Sequence, residues 1–187
     1  MSSPMVRTFI AYVEDLPGVL NRVTSLFRRR NYNIVSLTVG RTERPGVSRM
    51  TIVIEADDDA ARRIEANLYK LVNCLFVEDT SHVASMAREL GLVKVRADAT
   101  TRGEVMRLCD VFRARVVDVG PEALVAEITG TEDKIDGLVD VLRPFGIIEM
   151  VRTGVVAMLR SSEATDADRF PMSSVPPPPP SRDVKVA

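Results

Sequence analysis

At 187 residues and 45% apolar content, the chain is long enough for one mid-sized domain or two small ones, each with a packed core. Its 25 basic and 26 acidic residues give a net charge of -1 with no block of like charge, which disfavours a nucleic-acid binder, whose basic residues cluster on one face. The opening Met1-Ser2-Ser3-Pro4-Met5 has neither a charged n-region nor an apolar h-region, and no stretch approaches the roughly 20 apolar residues of a bilayer span, so a cytoplasmic protein with no membrane partner is expected.

The apolar run Val6 to Val13 has strand length, and Asp15-Leu16-Pro17-Gly18 breaks it. Val19, Leu20, Val23, Leu26 and Phe27 then fall on one face of a 3.6-residue period, predicting a helix that ends at Asn31-Tyr32. Val35, Leu37 and Val39 alternate with Ser36 and Thr38, the two-residue period of a strand, expected to lie beside the first. After the Pro45-Gly46 turn, Met50, Ile52 and Ile54 alternate in a third strand. Asp57, Asp58 and Asp59 supply capping groups and negative charge to a helix whose apolar face is Ile64, Leu68 and Leu71. Leu75-Phe76-Val77 forms a fourth strand.

The same order recurs. Leu92 to Ala97 alternates; Thr101 and Glu104 have capping-box spacing before the stripe Val105, Leu108, Cys109 and Phe112. Val116 to Val119 and Leu124 to Ile128 read as strands, and Gly130-Thr131 opens a helix carrying Ile135, Leu138, Val139 and Leu142. Ile147 to Leu159 supplies a final strand, either continuous or broken at Gly154. The fold class is therefore α+β, two tandem ferredoxin-like (βαββαβ) units, over 5–80 and 91–160, joined by 81–90. From 161 to 187 the chain is rich in Ser, Asp, Arg and Pro, including Pro176 to Pro180, and is expected to be a disordered Pro-rich tail. Units of about 70 residues have marginal cores, and helices on one face leave sheet edges to pair, so a homodimer is expected.

Groups for catalysis are sparse. His82 is the only histidine, in a connector, and reads as a solvated residue rather than half of a Ser-His or Cys-His relay. No H-E-x-x-H, paired CxxC, phosphate-binding loop or GxGxxG occurs, and Cys74 and Cys109 read as buried reduced thiols. No catalytic residue, metal site or cofactor is assigned to this chain. Arg28-Arg29-Arg30 reads as charge placed favourably at a helix C-terminus. The strands also lack the aromatic platform of an RNA-binding domain.

One segment suggests a ligand. Glu14-Asp15-Leu16-Pro17-Gly18-Val19 leads from a strand into a helix whose first N–H groups are unpartnered and lie at the positive end of the helix dipole, where a carboxylate fits. Gly18 permits close approach, Asp15 suits an ammonium group, and Asn33 offers both donor and acceptor. Carboxylate and ammonium sites side by side describe a free amino acid; the same residues also read simply as a turn and helix start.

The run from Arg7-Thr8-Phe9 through Glu14-Asp15-Leu16-Pro17-Gly18-Val19-Leu20-Asn21-Arg22-Val23 resembles the opening of an ACT domain. Tyr32-Asn33-Ile34-Val35-Ser36-Leu37-Thr38-Val39 and Ser48-Arg49-Met50-Thr51-Ile52 resemble the small, regulatory subunit of acetolactate synthase, as do Lys70-Leu71-Val72, Leu92-Val93-Lys94-Val95 and Thr153-Gly154-Val155-Val156. The resemblance covers about Met5 to Arg160. It implies a non-catalytic subunit that activates a large catalytic subunit carrying thiamine diphosphate, Mg2+ and FAD, and that confers feedback inhibition by valine, sometimes leucine or isoleucine. It implies an effector site between two ACT domains, built from Asp15, Leu16, Pro17, Gly18, Val19 and Leu20 of one copy with Asn33 and Ile34 of the other. Asp15 stands where many members carry Asn; its charge should suit an ammonium but repel a carboxylate. A free-standing amino-acid sensor acting on another enzyme or a transcription system is the alternative reading.

Overall fold

The computed structural model describes residues 5–162, so the tail expected from 161 lies outside the described residues beyond Ser162. Two compact units result, Met86–Met158 forming one, and, among the described residues, 5–85 with 159–162 the other.

The first unit runs β1 (Met5–Glu14), α1 (Val19–Arg29), β2 (Ile34–Arg41), β3 (Val47–Ala56), α2 (Asp58–Leu68) and β4 (Cys74–Asp79). Its antiparallel sheet has the order β2-β3-β1-β4. The expectation that β2 lies beside β1 is therefore corrected. The α1 crossover skips one position, and the tight β2–β3 turn returns the chain into the gap, so β3 pairs with both neighbours. This leaves β2 at an open edge.

The predicted periodicities account for the core. Phe9, Ala11 and Val13 on β1 and Met50, Ile52 and Ile54 on β3 share one face with Val23 and Phe27 of α1 and Ile64 and Leu68 of α2. The opposite face is less open than simple alternation implies. Ile10, Tyr12 and Val47 form a second small apolar cluster there with Leu75 and Phe76. Tyr12 packs against Phe76 at 6.2 Å, tilted by 57°, with the Arg49 guanidinium over its ring. Helix ends follow local chemistry. The Asp57 carboxylate accepts from Ala60 N–H at 2.7 Å, and Asn31 takes the left-handed conformation (φ 57°) that ends α1.

The second unit runs β5 (Ser85–Arg96), α3 (Arg102–Val111), β6 (Arg115–Val119), β7 (Ala123–Gly130), α4 (Glu132–Leu142), a one-turn 3-10 helix, β8 (Ile147–Arg152) and β9 (Val156–Leu159). The segment expected to join the units, 81–90, is strand from Ser85 onward. The final strand breaks at Gly154 (φ 80°), and both pieces pair with β5. Val93, Val95, Leu124 and Ile128 pack against Val105, Cys109, Ile135 and Leu138.

The capping box expected from Thr101 and Glu104 lies one turn earlier. Thr101 makes no side-chain cap; its hydroxyl accepts from Asp98 N–H at 3.2 Å, while the Asp98 carboxylate accepts from Thr101 N–H at 2.9 Å. That reciprocal pair is the box, and Thr101 is its fourth and last residue rather than its first. Four donors from Thr100 and Thr101 hold the Asp98 carboxyl well below its ordinary range.

Candidate functional site

The Asp15–Leu20 segment is held from two sides by distant parts of the first unit. Glu14 N–H donates to the Asn73 carbonyl at 2.9 Å, and Asp15 N–H to the Gly46 carbonyl at 2.8 Å. Asn73, before β4, also bonds the Glu14 carboxylate through its side-chain amide and accepts from Arg22 at 2.5 Å. Gly18 is the residue preceding α1 and adopts φ +86°, a left-handed conformation that other residues take only at a cost. Nothing lies within 4 Å of where its Cβ would project.

With glycine at that position, α1 has no side-chain cap and no acidic residue in its first turn. Val19 N–H donates to Leu16 O and Arg22 N–H to Gly18 O. The amides of Leu20 and Asn21 have no acceptor among the described residues. Two unpartnered donors at the positive end of a helix dipole suit a carboxylate.

Asp15, three residues before Gly18, has partners the sequence did not reveal. Ser48 Oγ donates to one carboxylate oxygen at 3.2 Å, and Arg41 Nε lies 3.3 Å from the other. Arg41 is the last residue of β2 and Ser48 the second of β3, so only the hairpin's fold brings them to the loop. The guanidinium offsets the extra negative charge that Asp15 brings. A carboxylate has about four acceptor positions, leaving room for an ammonium donor. Leu16 and Leu20 of the same segment are exposed, at 41% and 44%.

Asn33 and Ile34 are placed elsewhere. They line an open cleft with Thr24, Arg28, Asn31 and Tyr32 at the other end of α1. Eleven helical residues separate the two sets, about 16 Å at 1.5 Å per residue. One zwitterion cannot reach both within one copy.

Comparison with known proteins bears on the whole chain. Residues 9–75 match the family described as the AHAS small subunit-like ACT domain, and residues 88–161 match the small subunit of acetolactate synthase. The chain is 48% identical over 160 residues to the acetolactate synthase small subunit of Mycolicibacterium smegmatis, spanning 86% of this chain and 94% of that one. It is 46% identical to the probable acetolactate synthase small subunit of Archaeoglobus fulgidus, spanning 85% of this chain and 99% of that one. The chain belongs to the acetolactate synthase small-subunit family. The crystal structure of the Thermotoga maritima small subunit superposes with a TM-score of 0.79 at 37% identity, over 83% of this chain and 98% of that one. The Asp15–Leu20 loop and Asn33 both fall inside the matched ACT domain of this family member.

The remaining reactive groups are tied into structure. Burial pushes the Cys74 thiol up to about 11, and it also raises Cys109, so both remain protonated near neutrality. His82 is mostly exposed, as expected, and its Nε2 lies 2.5 Å from Arg7 Nη1. The Arg7 guanidinium is buried and bonds Asp58 as well, holding that carboxyl below its ordinary range. Among the described residues no three His, Cys, Asp or Glu side chains come together as a metal site, and no helix is long and apolar enough to cross a membrane.

Proposed function

We propose that this chain is the non-catalytic, regulatory subunit of an acetolactate synthase, and that two copies bind valine between their ACT domains. It associates with a catalytic subunit that carries thiamine diphosphate, Mg2+ and FAD, raises that subunit's activity and makes it sensitive to valine. Leucine and isoleucine compete for the same pocket, because such a site separates aliphatic side chains by only about 1–3 kcal/mol per methylene.

The observation that carries this reading is the contact between Arg41 and Asp15. That contact sets the Asp15 loop beside the far end of β2, while Asn33 precedes that strand's first residue. Antiparallel pairing of two β2 edges about a two-fold axis brings the start of one strand beside the end of the other. The partner's Asn33 then approaches the loop at Asp15, and the partner's Ile34 joins Leu16 and Leu20 in enclosing an isopropyl group. The amides of Leu20 and Asn21 receive the carboxylate, and Asp15 with the partner's Asn33 receives the ammonium. Bound valine thereby alters how the two ACT domains sit, and a coupling of about 1–3 kcal/mol suffices for strong inhibition.

Valine titrated into the reconstituted complex, with acetolactate formation followed, tests the reading. Wild-type complex is inhibited, and Asn33→Ala keeps activation and the dimer, seen by sedimentation, while losing inhibition. A complex insensitive to every branched-chain amino acid, or an Asn33→Ala complex with unchanged sensitivity, refutes it.

A further inference from the structure

On the helical face of the first unit, a cleft of about 420 Å³ opens between α1 and the segment that follows α2. Arg22, Arg29, Arg30 and Lys70 line it together with Leu26 and Leu71, and no carboxylate does. In a chain whose acidic and basic residues are nearly equal in number, four cations against no anion is a local imbalance. The helix dipole explains Arg29 at the end of α1 but not Arg22, which lies in its first half. Spacings of seven and eight residues put Arg22, Arg29 and Arg30 on one stripe with Leu26 between them. Their partners inside the chain are neutral. Arg22 donates to Asn73 and Arg30 to Asn67 at 3.1 Å, while Arg29 and Lys70 make no ion pair among the described residues.

Exposed apolar groups adjoin these cations in sequence: Leu20 precedes the stripe, Tyr69 precedes Lys70, and Val72, 90% exposed, follows Leu71. The Tyr69 hydroxyl is fixed on the Val77 carbonyl at 2.8 Å, so the ring is held in place. An open cleft in which arginines rim an apolar floor, with exposed apolar side chains nearby in sequence, has the composition of a protein interface more than of an enclosed small-molecule pocket.

We infer that the cationic cleft between α1 and the end of α2 is a docking surface for an acidic segment of a partner protein. Carboxylates of that segment pair with Arg22, Arg29, Arg30 and Lys70 over the apolar floor of Leu26 and Leu71. The identity of the partner as the catalytic subunit rests on the reading under Proposed function; the cleft and its charge do not.

The test uses the full chain carrying Arg29→Glu with Lys70→Glu, chosen because neither residue has an ion-pair partner to lose among the described residues. Association with the catalytic subunit is measured by calorimetry at two salt concentrations, alongside valine binding and sedimentation of the regulatory subunit alone. Docking through the cleft predicts association at least about tenfold weaker for the double variant, an intermediate loss for Arg29→Gln with Lys70→Gln, and a wild-type affinity that falls with salt, while dimer and valine binding stay intact. Wild-type affinity in the double variant overturns the inference. So does pyrophosphate binding at the cleft with association unchanged by the substitutions, which would make it a small-anion site. Failure of the wild-type chain to bind the catalytic subunit at all removes the partner reading itself, a result distinct from either.

Discussion

Gly18 offers a perturbation in which stability and effector binding should separate. At φ +86° an alanine is strained by about 1–2 kcal/mol, and with nothing within 4 Å of the new Cβ, strain is the whole cost. For a domain of this size, each kcal/mol lowers the melting temperature by about 4–8 °C. Aspartate tolerates the left-handed region better, and at a helix N-terminus its charge returns about 0.3–1 kcal/mol. The order of thermal stability is therefore wild type, Gly18→Asp, Gly18→Ala. Effector response follows a different order. Gly18→Ala keeps the free amides of Leu20 and Asn21 and remains inhibitable, whereas Gly18→Asp sets a carboxylate against the ligand's own. At about 4 Å that repulsion is about 1 kcal/mol in water and about 4 kcal/mol near a protein surface, a loss of affinity of about fivefold or more. Differential scanning calorimetry of the free subunit and valine inhibition of the complex measure the two orders independently. Wild-type valine sensitivity in Gly18→Asp would refute the carboxylate assignment, and Gly18→Asp melting below Gly18→Ala would refute the conformational argument.

Three further outcomes follow from the structure. Ile52→Ala, at a fully buried position on the sheet's second-from-edge strand, should cost about 2–5 kcal/mol in urea unfolding, with a lower midpoint and an unchanged slope. Asp98→Ala should lower the melting temperature of the second unit at pH 7. Because the folded Asp98 carboxyl is held below its ordinary range, its contribution is complete above about pH 4 and fades as pH falls towards the folded value, so wild type and variant should converge in acid. Cys74, pushed up to about 11, should react with iodoacetamide at pH 8 about a hundredfold more slowly in the folded protein than in the urea-unfolded chain, as mass spectrometry would record.

The legibility of these features in sequence follows the range of the interactions behind them. The stripe Val19-Val23-Phe27 and the alternation Met50-Ile52-Ile54 are periodic because a helix or strand shows one face to the core, so elements and core residues could be named before any contact was known. Gly18 was legible as a point of close approach at a helix start, but its left-handed φ of +86° emerges only in the fold. Strand order was not. That β2 sits at the edge, beside β3 instead of β1, depends on which hairpin fills the gap left by the α1 crossover, and no window of residues encodes it. The capping box failed by one turn because the Asp98 carboxylate takes the Thr101 amide assigned to Glu104, while the Thr101 hydroxyl accepts from the Asp98 amide.

The loop itself divides in the same way. Asp15 and the unpartnered amides of α1 are local consequences of a turn meeting a helix, but Arg41 and Ser48 reach Asp15 from 26 and 33 residues away. Only the β2–β3 hairpin closes that distance, and with it comes the compensating charge beside Asp15. Likewise Arg29 and Arg30 read as ordinary helix-terminal charge until α2 is packed against α1, bringing Lys70 into the same cleft. Short-range periodicity settled the elements; long-range closure of the sheet and helix layer settled which charges meet.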